Sequence, residues 1–184
     1  ALMRMGVLWT EQGDFTQAVA VLEQSRDLMR QANNLAGLNA VLNALGVAYW
    51  QVNRTKDTVA CIEQGLQISE TIGDVMAMAR AANNLAVTML DQNELQRANE
   101  LYEYSRNQFW RIGREQGVAL TTLNLGEVWL LQGQPQKAMP LFLECIAILE
   151  RLNARIDLPQ SLSLAAEAQL ELGDYEQAAT YATR

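Results

Sequence analysis

The stretch Asn84-Leu85-Ala86-Val87-Thr88-Met89 ends a predicted helix just before a tight corner. The same pattern of small and apolar side chains occurs forty residues earlier, at 44–49, and forty residues later, at 124–129. It occurs in the same phase at 4–9 and at 164–169. A fixed period of this kind is the signature of an array of stacked structural repeats, so the period decides the fold.

Each predicted helix is closed by a glycine or an asparagine. These residues tolerate the left-handed backbone that ends a helix, so they are typical of helix C-termini. They stand at Gly13, Asn33, Asn53, Gly73, Asn93, Gly113, Gly133, Asn153 and Gly173. The sequence therefore predicts an all-α chain of antiparallel helix pairs, with about four and a half hairpins.

Each hairpin consists of a first helix, called A, and a second helix, called B. The A helices are predicted at 35–52, 75–92, 115–132 and 157–172, and the B helices at 15–32, 55–72, 95–112 and 135–152. The repeat units are then 1–34, 35–74, 75–114, 115–154 and 155–184, in one continuous domain. Because the chain begins inside an A helix and stops inside a B helix, we expect a fragment of a longer array.

The last A helix has start signals of its own. Asp157 is a residue type that caps a helix N-terminus, and Pro159 suits the first turn, where no amide partner is lost. We therefore expect Asp157 to cap this helix, which should start later in its unit than the other A helices do.

Two corner sequences, Gly13-Asp14-Phe15-Thr16-Gln17-Ala18 and Gly173-Asp174-Tyr175-Glu176-Gln177-Ala178, resemble the consensus of the tetratricopeptide repeat. That family usually has a period of about 34 residues, whereas the period here is 40. The long form is similar to the repeats of kinesin light chain and to the C-terminal arrays of LuxR-type bacterial transcription activators. The resemblance covers the whole chain.

The resemblance implies a right-handed superhelical solenoid in which the A helices line a concave groove. It implies a scaffold for protein–protein interaction that binds a peptide or a partner segment in this groove. The alternative is a regulatory or sensor segment of a multidomain bacterial signalling or transcription-regulator protein, which binds a small effector or self-associates. Self-association through the exposed ends of the array is a further hypothesis.

The predicted groove residues lie on the side of the A helices that faces away from the packed seam. An asparagine can donate two hydrogen bonds and accept two, so it can bind both the N–H and the C=O of an extended peptide. By resemblance, Asn84 and Asn124 match the asparagines that do so in the long-repeat families. The full predicted set is Asn43, Val47, Arg80, Asn83, Asn84, Val87, Asn124, Glu127 and Glu167.

Two alternatives stay open for these residues. The asparagines either line the groove or only bond a neighbouring helix or turn, and Val47 and Val87 either form the groove floor or pack in the core. The acids Asp91, Glu127, Glu167 and Glu171 are either solvated charges or contacts that would select a basic peptide.

Composition excludes several classes of function. A net charge of −7 and a pI near 4.6 argue against nucleic acid and against an anionic membrane surface as direct partners. The chain has no histidine, which removes the commonest general base and the commonest zinc ligand. Because no catalytic triad, glycine-rich phosphate loop or metal-ligand cluster is present either, we expect neither an enzyme nor a cofactor.

Cys61 and Cys145 lie two repeats apart on B helices, so we expect buried free thiols in a reducing, cytoplasmic compartment. Residues 35–52 carry no charge and approach the length of a membrane span. They contain Asn39, Asn43 and Gln51, however, and lie in register with the other A helices. We therefore expect an enclosed helix of a water-soluble protein.

Overall fold

The computed structural model describes residues 1–184 and contains ten α-helices joined by short corners. The A helices are α1 (Leu2–Glu11), α3 (Leu35–Gln51), α5 (Val75–Asp91), α7 (Glu115–Leu131) and α9 (Leu158–Leu172). The B helices are α2 (Phe15–Gln31), α4 (Thr55–Ile72), α6 (Leu95–Arg111), α8 (Pro135–Arg151) and α10 (Tyr175–Ala182). The predicted ends of the full helices are confirmed to within one residue.

The corners explain why the helices end where they do. All nine corner residues adopt a left-handed backbone, with φ between 51° and 81°. Four of them are asparagines, at positions 33, 53, 93 and 153, and the others are glycines. The glycine and asparagine pattern read from the sequence is therefore confirmed at every corner.

The helices form two compact units, Ala1–Gln92 with α1 to α5 and Asn93–Arg184 with α6 to α10. The core of the first unit includes the fully buried Leu22, Leu42 and Leu45. The core of the second unit is built around the fully buried Phe142 and Cys145. The division of the chain into five repeat units stays a prediction.

Small residues on the A helices let the partner B helix pack closely. The five positions in this phase are all buried: Gly6, Gly46, Ala86, Gly126 and Ala166. A methyl group on Gly6 would lie 2.4 Å from Leu22 Cγ, and one on Gly126 would lie 2.4 Å from Phe142 Cε1. Equivalent positions therefore have like surroundings, as the period predicts.

Side-chain caps begin four of the helices. Asp14, Asn34, Asp74 and Asp174 each accept a hydrogen bond from the backbone N–H three residues ahead, at 2.9 to 3.1 Å. These caps satisfy N–H groups that have no partner within the helix.

The expected cap by Asp157 is wrong. Its side chain makes no capping bond and accepts instead from Nε2 of Gln116 at 3.0 Å. The backbone of Asp157 has helical angles, φ −87° and ψ −17°, rather than the extended conformation usual for a capping residue. The late start of α9 at Leu158, with Pro159 in its first turn, is confirmed.

Both cysteines are free and buried, as expected. Burial raises the pKa of the Cys61 thiol and raises that of Cys145 to about 11. Among the ten helices, none is long and apolar enough to cross a bilayer.

Candidate functional site

The nine predicted groove residues all lie on A helices, and none of them is fully buried. Val47, Arg80 and Glu167 are exposed, and the other six are half-buried. Six of the nine belong to the first compact unit and three, Asn124, Glu127 and Glu167, to the second.

Asn43 supports the fold from within the first unit. Its Nδ2 donates to the backbone oxygen of Asn39 at 3.2 Å and to Asn39 Oδ1 at 3.4 Å. Asn39 in turn donates to Ser69 Oγ at 2.8 Å, and Ser69 donates to the backbone oxygen of Gly65. Asn43 Oδ1 is buried without a partner. The amide of Asn43 therefore belongs to an internal chain of hydrogen bonds between α3 and α4.

Asn84 differs from Asn43 in this respect. Its side chain makes no hydrogen bond within the chain, and only its backbone oxygen is used, by Thr88 Oγ1 at 3.0 Å. Asn83 and Asn124 each have an interaction of their own with another residue. Among the asparagines of the predicted groove, Asn84 therefore has a half-buried side-chain amide that is still available for hydrogen bonding. We call this amide uncommitted.

Two cavities open to solvent between α3 and α5 in the first unit. The smaller, of about 170 Å³, is mostly apolar and is lined by Gly46, Val47, Trp50, Thr58, Ile62, Asn84, Val87 and Thr88. The larger, of about 400 Å³, is lined by Trp50, Gln51, Asn53, Thr55, Thr88, Asp91 and Gln92. Trp50 and Thr88 line both, so the two cavities are neighbours.

A hydrogen bond between Trp50 and Asp91 links α3 to α5 beside the larger cavity, which both residues line. The indole Nε1 of Trp50 donates to Asp91 Oδ2 at 2.7 Å, the short distance expected when the acceptor is ionised. This bond fixes the ring, of which 42% remains exposed. No basic side chain of the chain pairs with Asp91, which is exposed. We call Val47, Trp50, Asn84, Val87 and Asp91 together the α3/α5 face.

Trp50 was not among the predicted groove residues, although the sequence holds a signal for it. Trp50 follows Tyr49, which lies in the buried aromatic phase and is 2% exposed, and one residue further along a helix is a turn of about 100° around its axis. A tryptophan placed one residue out of the buried phase is a large apolar side chain directed toward solvent. Such side chains mark interaction sites when they cluster with others.

The second unit presents carboxylates at the corresponding place. Burial raises the pKa of Glu127 on α7, and the neighbouring carboxylate of Glu167 on α9 raises it further. Two exposed leucines lie on the same side of α7, Leu120 at 46% and Leu131 at 59% exposure. We call Leu120, Asn124, Glu127, Leu131 and Glu167 together the α7/α9 face. No cluster of histidine, cysteine, aspartate or glutamate in the chain could hold a metal ion.

Family models of the tetratricopeptide repeat match residues 1–27, 118–155 and 159–180. The chain is a tetratricopeptide repeat protein. Repeats of this family typically mediate protein–protein interaction. The match confirms the resemblance that the corner sequences carry. No curated protein sequence matches the chain.

Solved structures confirm the fold of this repeat protein. BtubC (BKLC) from P. vanneervenii superposes with a TM-score of 0.90 at 22% identity, over 100% of this chain and 76% of that chain. A Podospora anserina protein assigned as a kinesin light chain, with nearly identical TPR-like repeats, gives 0.78 at 19% identity, over 98% of this chain and 89% of that chain. Aspartyl phosphate phosphatase F from Bacillus subtilis gives a TM-score of 0.88 at 18% identity, over 98% of this chain and 47% of that chain. At these identities the likeness shows the fold alone.

Proposed function

We propose that this tetratricopeptide repeat chain binds an extended peptide segment of a partner protein on the open side of its A helices. One observation carries the proposal: the uncommitted amide of Asn84 borders an open, mostly apolar cavity. Such an amide can pair with the N–H and C=O of a peptide backbone, while the cavity takes an adjacent side chain.

The size and openness of the cavities support a peptide over a small effector. Small-molecule pockets enclose most of the ligand surface within a volume of about 300–1,000 Å³. The smaller cavity is well below this range, and the larger one is open to solvent. A regulatory segment that binds a small effector is therefore the second hypothesis, and self-association is the third.

We also propose that the chain is non-catalytic and works in the cytoplasm. A cysteine attacks as its thiolate, and burial raises the pKa of both thiols, which disfavours that form. Free buried thiols also fit a reducing compartment.

The proposal is tested by panning a random peptide display library on the full chain and measuring the enriched peptides by calorimetry. We expect Asn84→Ala to weaken binding by about 1–3 kcal/mol, because peptide groups are left unpaired at the interface. Folding should be unaffected, since the Asn84 side chain makes no bond within the chain. The matched control is Asn107→Ala on the exposed surface of a B helix, which should leave affinity unchanged.

Equal affinity of the enriched peptides for Asn84→Ala and for the unmodified chain would contradict the proposal. If only small molecules saturate the first unit, the sensor hypothesis replaces it. Light scattering over a concentration series separates the third hypothesis, since self-association raises the mean mass with concentration.

A further inference from the structure

We infer that the α3/α5 face selects peptides in which an aliphatic side chain and a basic side chain stand two residues apart. This inference rests on the proposed function and adds the chemistry of the ligand. It follows from three features of the first unit: the apolar lining of the smaller cavity, the unpaired charge beside Trp50, and the spacing between them.

The smaller cavity fits an aliphatic side chain. Val47, Val87 and Ile62 give it apolar walls, and Gly46 adds no side chain to fill it. Its volume of about 170 Å³ equals that of roughly five or six water molecules, which matches one branched aliphatic group rather than a folded element. Val47 is 39% exposed, so an incoming side chain removes apolar surface from water.

The larger cavity fits a cation. Asp91 uses Oδ2 to accept from the Trp50 indole, which leaves Oδ1 available, and the Trp50 ring beside it is partly exposed. A lysine or arginine side chain can lie over the ring and pair with the carboxylate at the same time. The chain supplies no such cation itself, and its net charge of −7 favours a basic partner over an acidic one.

The spacing of the two cavities sets the spacing of the two side chains. Val87 and Asp91 are four residues apart on α5, which is about 6 Å along a helix axis. Side chains at alternate positions of an extended peptide lie on the same side, about 6.6 Å apart. A segment running along α5 therefore places residues i and i+2 in the two neighbouring cavities, with its backbone near Asn84.

Fluorescence anisotropy with labelled nine-residue peptides in a glycine–serine frame tests the inference on the full chain. The probes carry Leu-Ser-Arg or the reverse order Arg-Ser-Leu at the centre, and the comparison peptides carry Leu-Ser-Gln, Leu-Ser-Glu or the respaced Leu-Arg-Ser. We expect one of the two Leu/Arg orders to bind at least ten-fold more tightly than Leu-Ser-Glu and than Leu-Arg-Ser.

The variant Asp91→Asn keeps an oxygen for the Trp50 indole and removes only the charge. It should reduce the preference for the basic over the neutral peptide to less than two-fold, while binding of Leu-Ser-Gln stays unchanged. The matched control, Glu171→Gln, removes a carboxylate from the same repeat position in the second unit and should change nothing.

The outcomes separate this inference from the proposed function. If Leu-Ser-Glu binds as well as the basic peptides, or if Asp91→Asn keeps the preference, the aliphatic–basic selection is wrong. Peptide binding itself still stands in that case, provided that library peptides remain sensitive to Asn84→Ala. If no peptide of any composition binds, both fall together.

Discussion

The α3/α5 face of the first unit and the α7/α9 face of the second lie on equivalent helix pairs and share two repeat positions, which carry different chemistry. Val47 and Val87 border the apolar cavity of the first unit. Eighty residues later, the equivalent positions are Glu127 and Glu167. Burial raises the pKa of Glu127, and the carboxylate of Glu167 raises it further. At these two positions the side chains stay half-buried or exposed in both units, while their chemistry differs.

The interiors of the two units differ in a similar way. In the first unit, Asn39 on α3 donates to Ser69 on α4, and both are buried. In the second unit the equivalent positions are Ala119 and Leu149, also buried and both apolar. The same helix packing therefore tolerates a polar pair or an apolar pair, provided that neither partner is left alone.

The largest loss of stability is expected when an asparagine is introduced into the second unit without a serine to pair with it. Ala119→Asn should lower the free energy of unfolding by about 2–3 kcal/mol, because the new amide is buried opposite Leu149, which offers no hydrogen bond. Urea denaturation measures this loss.

The reverse substitution, Asn39→Ala, is the control for that comparison. It should cost only about 1 kcal/mol, because Ser69 keeps its bond to the backbone oxygen of Gly65 and Asn43 keeps its bond to the backbone oxygen of residue 39. Equal losses in the free energy of unfolding for Ala119→Asn and Asn39→Ala would contradict the argument that a buried asparagine depends on its serine partner.

A smaller effect should distinguish two equivalent glycines. An added methyl group at Gly126 meets the Phe142 ring at 2.4 Å, whereas one at Gly46 meets Ile62 Cγ1 at 2.8 Å. Overpacking costs about 1–3 kcal/mol, and alanine regains roughly 1 kcal/mol of helix propensity over glycine. We expect Gly126→Ala to destabilise the chain by about 2 kcal/mol and Gly46→Ala by about 1 kcal/mol, both measured by thermal unfolding. A larger loss at Gly46 would contradict the packing argument.

The smallest effect concerns the carboxylates of the α7/α9 face. The pKa of Glu127 is raised by burial and by Glu167, so this group contributes most stability below its unfolded pKa and loses that contribution as pH rises through its folded pKa. Glu127→Gln should therefore raise Tm by about 1–2 °C at pH 7 and leave it unchanged near pH 3.5. Calorimetry at both pH values checks the sign.

Two results would contradict this prediction: a lower Tm for Glu127→Gln at pH 7, or an equal gain at both pH values. Glu167→Gln serves as the companion variant, since it removes the neighbouring charge and should shift Tm in the same direction.

The helices and corners could be predicted because they depend on local chemistry. A glycine or asparagine at each corner has an intrinsic tolerance for positive φ, and all nine adopt it. Asp157 failed as a cap because Gln116, forty-one residues away, takes its carboxylate instead.

The details of the site could not be predicted because they depend on distant partners. Asn43 and Asn84 are the same residue type on A helices, one position apart in the repeat, and only Asn43 joins a chain of bonds that reaches Ser69. Likewise, the cavities exist because of how Gly46, Ile62 and Trp50 pack in three dimensions. Only the structure distinguishes a bracing amide from an available one.

Corners of one geometry at a constant interval make the hairpins interchangeable parts. Residues 35–74 and 115–154 are equal in length, and each segment begins at the first residue of an A helix. Each segment ends one residue after a left-handed corner, at Gly73 in the first and at Asn153 in the second. A hairpin can thus be duplicated, deleted or exchanged by recombination without a new loop having to be invented.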